Sequence, residues 1–272
     1  MMIVEPTLEI MVSTMNRSNL SFLGKMLPNM DLSLYSILII NQTKLNKDLV
    51  STTEGIRVIN SREFGLSKSR NLAIKNAVGD ILVIADDDIE YLLDFDKTIL
   101  QAYKEYHQAS LISFQFLDEN DQFQKNYPKS EGYTTSTKQP LTSMEMTFRR
   151  KGIIDKGIRM NENFGLGSTF PSAEEQIFKY SILKENLKVA FVAQPIVRHF
   201  GKTSGFDQGT PRFIRAITAQ KFLTYRYWTY FWLIKYVFFL CRHKYISFFE
   251  QPKAFKIGFK AIHEIKILED EG

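Results

Sequence analysis

The chain has 272 residues, 44% of them hydrophobic, with a net charge of +5 and a sequence pI near 9.0. That length and apolar content can bury a full core and exclude an intrinsically disordered chain. A single cysteine, Cys241, excludes an internal disulfide framework and a multi-cysteine zinc site, so a reducing compartment, the cytoplasm, is expected.

The opening residues hold no basic start followed by an apolar core, so no secretory leader is expected. No stretch of about 18 apolar residues is free of charge, so a spanning helix is not expected either. Four short apolar runs then predict strands at Leu8 to Val12, Ser36 to Ile40, Ile56 to Ile59 and Ile81 to Ala85. The second and fourth are continuous rather than alternating, as in parallel strands covered on both faces. Helices are predicted between them at Asn19 to Met26 and at Ser67 to Ala77, where Leu72, Ala73 and Ala77 fall at helical spacing. Strand alternating with helix predicts a doubly wound, mostly parallel α/β sheet. Ligands in such sheets gather beyond the carboxyl ends of the strands. One rim therefore collects Ser13, Thr14, Asn16 and Arg17, then Asn41, Gln42 and Thr43, and then three consecutive acids, Asp86, Asp87 and Asp88.

Vicinal carboxylates repel one another unless a cation neutralises them, and Mg²⁺ or Mn²⁺ prefer such hard oxygen ligands. In that arrangement Asp88 binds the metal while Asp86 faces a ribose; a solvated acidic turn is the plain alternative. Further on, Asp118 to Pro140 is polar and turn-rich, which predicts a long surface loop, either a lid or a disordered insert. Compact structure resumes over 144–200, where Ser172 is a candidate N-cap for a helix beginning near Glu174 and Glu175, and Lys188 to Gly201 is strand-like.

The stretch Gly65 to Asp88, "GLSKSRNLAIKNAVGDILVIADDD", resembles the nucleotide-binding segment and DxD motif of the family 2 glycosyltransferases. The stretch Phe164 to Phe178, "FGLGSTFPSAEEQIF", is similar to that family's acceptor-side region. The resemblance covers roughly Leu8 to Ser204, in the manner of enzymes of bacterial surface polysaccharide assembly. It implies a GT-A-like catalytic domain over 1–204 and Mn²⁺ or Mg²⁺ as cofactor. It also implies a nucleotide-sugar donor, a glycan or lipid-linked glycan acceptor, and inversion at the transferred sugar. Laid onto this chain, Ser13, Thr14, Asn41, Arg70, Asp86 and Asp87 are the donor-side residues, Asp88 and His199 hold the metal, and Glu175 is the catalytic base with Glu174 as its alternative. Two departures stand out: Asn41-Gln42 occupies a position where the family usually has a base-reading Asp, and Glu occupies the usual Asp position of the base. Rival readings are a sugar-nucleotide nucleotidyltransferase, disfavoured because "MVSTMNRSN" lacks a phosphate-loop glycine, and a non-catalytic glycan-binding scaffold of the same fold.

Composition changes sharply in the tail, 205–272. From Arg212 to Lys260 there are ten Lys or Arg against one acid, Glu250. The aromatic segment Tyr225 to Tyr245 joins Trp, Tyr and basic residues as a bilayer interface requires, which predicts a helical extension in peripheral contact with the cytoplasmic membrane face. Packing on the catalytic domain or on a second copy, as in a homo-oligomer, is the alternative. Nothing upstream points to nucleic acid.

Overall fold

The computed structural model describes residues 5–44, 47–137, 139–201 and 208–270. The expected boundary between domains, at 204 and 205, lies outside the described residues. All four predicted strands form, each extending past its apolar run into the polar residues of the rim: β1 Leu8–Met15, β2 Ser36–Gln42, β3 Ile56–Ser61 and β4 Ile81–Asp86. They continue because parallel neighbours supply ladder partners for the polar stretch, with Thr14 opposite Asn41 and Ser13 opposite Asp86.

The remaining strands are β5 Ile89–Tyr91, β6 Ala109–Leu117, β7 Gly132–Thr134, β8 Met146–Arg149 and β9 Lys188–His199. The sheet order is β3-β2-β1-β4-β8-β6-β9-β5, with β7 paired to β9. The longer ladders, β1 with β2 and β4, β2 with β3 and β6 with β9, are parallel; β8, β5 and β7 add short antiparallel pairings. Side chains alternate between two buried faces. Ile10, Val12, Ile37, Ile39, Val83 and Ala85 face α3 (Phe95–Glu105), whereas Met11, Leu38, Ile40, Leu82 and Ile84 face α2 (Leu66–Asn76) and α5 (Glu174–Lys184).

Three expectations are corrected. The helix expected over Asn19 to Met26 shrinks to α1, Leu23–Met26, because Asn19 Oδ1 accepts from Ser21 N at 3.0 Å and from Ser21 Oγ, a local turn that competes with the helix. Ser172 is not the N-cap of α5; that position is Ala173, held left-handed at φ 77 without a side-chain cap. The described part of the segment 118–140 is folded onto the sheet rather than a disordered insert: β7 pairs with β9, and the Tyr127 ring stacks on Phe191 at 5.9 Å. A short helix, α4, spans Arg150–Asp155.

The tail is α6 Pro211–Tyr225, a 3-10 turn at Arg226–Trp228, α7 Thr229–Arg242 and α8 Gln251–Asp270. The helical extension expected from the aromatic segment forms, with its chain turning at Arg226, whose φ is 50. Ala216, Ala219 and Phe222 of α6 share a core with Phe164, Phe170 and Ile177 of the preceding domain and with Ala261 and Ile265 of α8. No helix among the described residues is long and apolar enough to cross a membrane.

Glu9 fixes where β4 starts. Its buried carboxylate accepts from Val78 N at 2.6 Å and Gly79 N at 2.9 Å and pairs with Arg57 Nη2 at 2.6 Å. Gly79 is required there, since a Cβ would lie 2.6 Å from Glu9 Cβ. Burial works against the charged form, but the Gly79, Arg57 and Val78 hydrogen bonds outweigh it and hold the carboxyl below its ordinary value of 4.5. A lowered folded-state value contributes stability above the unfolded value and loses it as pH falls. Glu9→Gln is expected to cost about 1–3 kcal/mol at neutral pH in urea unfolding, with the gap to the native chain narrowing as the pH drops below the carboxylate range.

Candidate active site

Two sequence segments about a hundred positions apart are sewn together at the rim. Leu66 N donates to Leu166 O at 2.9 Å, Ser67 Oγ to Phe164 O at 2.6 Å, and Met160 N to Asn71 Oδ1 at 2.8 Å. Gly65 and Gly167 permit the approach: Gly167 has φ +81, and a Cβ on it would lie 3.4 Å from Gly65 Cα. The start of α2 is thereby locked against the loop that leads into α5.

Between them lies Arg70, 2% exposed. Its Nη2 reaches Asp86 Oδ1 at 3.1 Å, while Nη1 reaches Glu174 Oε1 at 3.2 Å and Glu175 Oε1 at 3.3 Å. One buried guanidinium thus joins the end of β4 to the first turn of α5. Ser143 Oγ donates to Asp86 Oδ2 at 2.9 Å, so that carboxylate is held from both sides. Asp87 is held by Thr14 Oγ1 and by Arg17, Nη2 lying 2.6 Å away. Ser13 is buried behind them, accepting from Ser69 Oγ at 2.9 Å.

Asp88 follows. Antiparallel pairing of Ile89 with His199 brings the ends of β4 and β9 together, leaving His199 Nε2 3.9 Å from Asp88 Oδ2. The buried Nδ1 of His199 has no hydrogen-bond partner among the described residues. Loss of solvent and the charge of Asp86 push the Asp88 carboxyl above its ordinary range, against the pull of His199. Among the described residues no three His, Cys, Asp or Glu side chains form a closed metal cage. A hard divalent cation commonly takes only one or two protein ligands and fills its shell with phosphate and water, so an acid, a nearby imidazole and excess negative charge fit it.

Glu175 stands beside Glu174 in the first turn of α5. Burial and the charge of Glu174 push its carboxyl up to about 8, against the opposing pull of Arg70. At neutral pH such a group sits near the point where it can take up or release a proton.

These residues line one cleft of about 1020 Å³, together with Gln42, Lys125, Leu166, Arg212, Phe213, Ile217, Lys221 and Tyr245. Of the residues expected from sequence, Ser13, Thr14, Arg70, Asp86, Asp87, Asp88, Glu174, Glu175 and His199 all reach it. Asn41 does not. Its amide is buried, donating to Asn60 Oδ1 at 2.9 Å and Arg17 O at 3.1 Å, and accepting from Arg17 N. Arg70, expected at the base or phosphate, instead spends its guanidinium nitrogens Nη1 and Nη2 on carboxylates. Ser143 and the cleft wall supplied by α6 carry no motif in the sequence. The role of Arg17 was legible only as a place on the rim.

The family model described as glycosyl transferase family 2 matches residues 36–169. Among curated proteins none matches significantly. Among solved structures, S. aureus TarS 1–349 in complex with UDP-GlcNAc aligns over 96% of this chain and 83% of that one, at 15% identity and a TM-score of 0.58. The same protein in complex with UDP aligns over the same shares at 16% identity and a TM-score of 0.56. A longer S. aureus TarS structure is covered over 40% of its length by 79% of this chain, at 16% identity and a TM-score of 0.54, so the chain spans less than half of that protein. The likeness is one of fold, and that fold is the GT-A-like sheet with its helical extension.

Replacing Arg70 by Leu would leave three carboxylates around a buried gap. The expected cost is about 3–5 kcal/mol in urea unfolding, and Arg70→Lys, which keeps the charge but cannot span three acids, is expected to recover only part of it.

Proposed function

We propose, from the match of residues 36–169 to the model of glycosyl transferase family 2, that the chain moves a sugar from a nucleotide-sugar donor to an acceptor hydroxyl with inversion. The observation that carries this reading is the cleft in which Arg70 ties Asp86, at the end of β4, to Glu174 and Glu175. The nucleotide lies along Ser13, Thr14, Asp86 and Asp87. Asp88 and His199 would hold Mn²⁺ or Mg²⁺, which would supply Lewis-acid neutralisation of the departing diphosphate.

Glu175 takes the proton from the attacking hydroxyl. Its raised affinity for protons makes it a stronger base than an ordinary carboxylate, while burial keeps bulk water from competing for it. Arg70 and Glu174 position it from opposite sides in charge: Arg70 favours the ionised form and Glu174 disfavours it. The UDP-bound form of TarS makes a uridine donor the first to try. The acceptor is a glycan, free or lipid-linked, met at the cytoplasmic membrane face through peripheral contact by 225–245.

Incubating the full chain with nucleotide sugars, Mn²⁺ and glycan acceptors, with product analysis by mass spectrometry and anomeric assignment by NMR, tests the reading. A retained anomeric configuration would overturn inversion, and pyrophosphate release in place of sugar transfer would favour a nucleotidyltransferase. Glu175→Gln is expected to lower kcat by about 10²- to 10⁴-fold. Because the base works ionised, kcat/KM should climb with pH along an acid limb ending near 8. Glu174→Gln, which removes a neighbouring negative charge, should move that limb to lower pH; if Glu174 is the base, the two variants exchange behaviours. UDP with Mn²⁺ is expected to raise the melting temperature, and Asp88→Asn to remove the Mn²⁺-dependent part of that rise.

A further inference from the structure

Helix α7 has two apolar faces, and the fold uses one. Leu233, Val237 and Leu240 are buried against Ile214 of α6 and Ala254 of α8. On the opposite side, at helical spacing, Trp228, Phe231 and Phe238 are 74%, 62% and 57% exposed. Just beyond the end of α7, Phe248 and Phe249 stand 73% and 92% exposed, a degree of bare aromatic surface for which the fold gives no packing reason.

The charge around this surface has one sign. Lys235 lies within the exposed α7 stripe, Arg242 ends it and Lys244 follows; all three are exposed, and none forms an ion pair among the described residues. The one acid nearby, Glu250, is occupied by Ser247 N at 2.7 Å and Ser247 Oγ at 2.8 Å. Phe249 is followed at helical spacing along α8 by Lys253 and Lys256, both exposed and facing away from buried Ala254, Gly258 and Ala261, before Lys260 meets Glu264 at 3.8 Å. A second copy pairing through this face would set like charges against one another. An anionic bilayer interface offers apolar depth for the rings and counter-charge for the cations. At 14 residues, or about 21 Å, α7 is too short for a hydrocarbon core of about 30 Å, so it lies in the interface plane.

We infer that the outward stripe of α7 and the Phe248-Phe249 turn form one docking surface for an anionic lipid bilayer. This deepens the membrane contact proposed above by extending it past 245 and assigning insertion to two phenylalanines. Behind this surface, α6 supplies Phe213, Ile217 and Lys221 to the cleft wall, and Tyr245 in the α7–α8 turn reaches the same cleft. The docking face and the acceptor end of the cleft therefore belong to one helical unit.

Flotation of the full chain with phosphatidylcholine vesicles, with and without phosphatidylglycerol, tests this. Binding is expected to require phosphatidylglycerol and to weaken with salt. Phe248→Ser with Phe249→Ser should reduce partition about tenfold or more, and Lys235→Gln or Arg242→Gln about fivefold each. An unchanged melting temperature and an unchanged rise with UDP and Mn²⁺ establish that the variants are folded. No flotation with anionic vesicles, or flotation untouched by the phenylalanine pair in folded variants, would overturn the proposal; so would a concentration-dependent dimer that the same substitutions dissolve. The assay needs neither donor nor turnover, so its failure leaves glycosyl transfer standing, and failed transfer leaves the docking result standing.

Discussion

One buried cation organises the cleft. Arg70 is 2% exposed, and a guanidinium taken out of water at that depth costs several kcal/mol unless its charge is met. Asp86, Glu174 and Glu175 meet it, and each does so from an element whose position then becomes fixed relative to the others. The balance is incomplete, because three carboxylates surround one positive charge. Burial raises the Glu175 carboxyl and the neighbouring charge of Glu174 adds to it, and at the end of β4 loss of solvent and the charge of Asp86 do the same to Asp88.

That constraint depends on the sheet delivering Asp86 to the correct rim. Parallel pairing of β4 with β1 places Ser13 opposite Asp86, while Glu9 at the other end of β1 anchors the turn from which β4 departs. A slip of one residue would turn Asp86 to the opposite face of the sheet and separate it from Arg70. The polar rim is thus set by hydrogen bonds made some seven residues earlier, in the buried base of the strand.

The helical extension is part of the same architecture. α6 contributes to the core that holds Phe164 and Phe170 beneath the second motif, and it also walls the cleft with Phe213, Ile217 and Lys221. α7 and α8 pack on each other with Gly258 of α8 under Leu233 of α7, where any side chain would collide with the leucine methyls. The same packing turns the outer aromatic face of α7 away from the core.

The sequence by itself determined the first four strands and the strand-like stretch that becomes β9, because continuous apolar runs such as "SILII" and "ILVIA" leave little choice but a doubly covered parallel sheet, and it placed the acids at one rim; β5 to β8 and the order of the sheet came only with the tertiary structure. It also marked Glu174 and Glu175 and the basic aromatic tail. Only the tertiary structure decided who faces whom. Arg70 reads locally as a surface helix residue, yet it is buried because a loop about a hundred positions away folds over it. Asn41 reads as a ligand on the rim, yet the backbone of Arg17 and the side chain of Asn60 claim its amide first. Ser143, Lys221 and the bare face of α7 follow from packing across distant segments, and periodicity, which reports only neighbours along the chain, carries no record of those contacts.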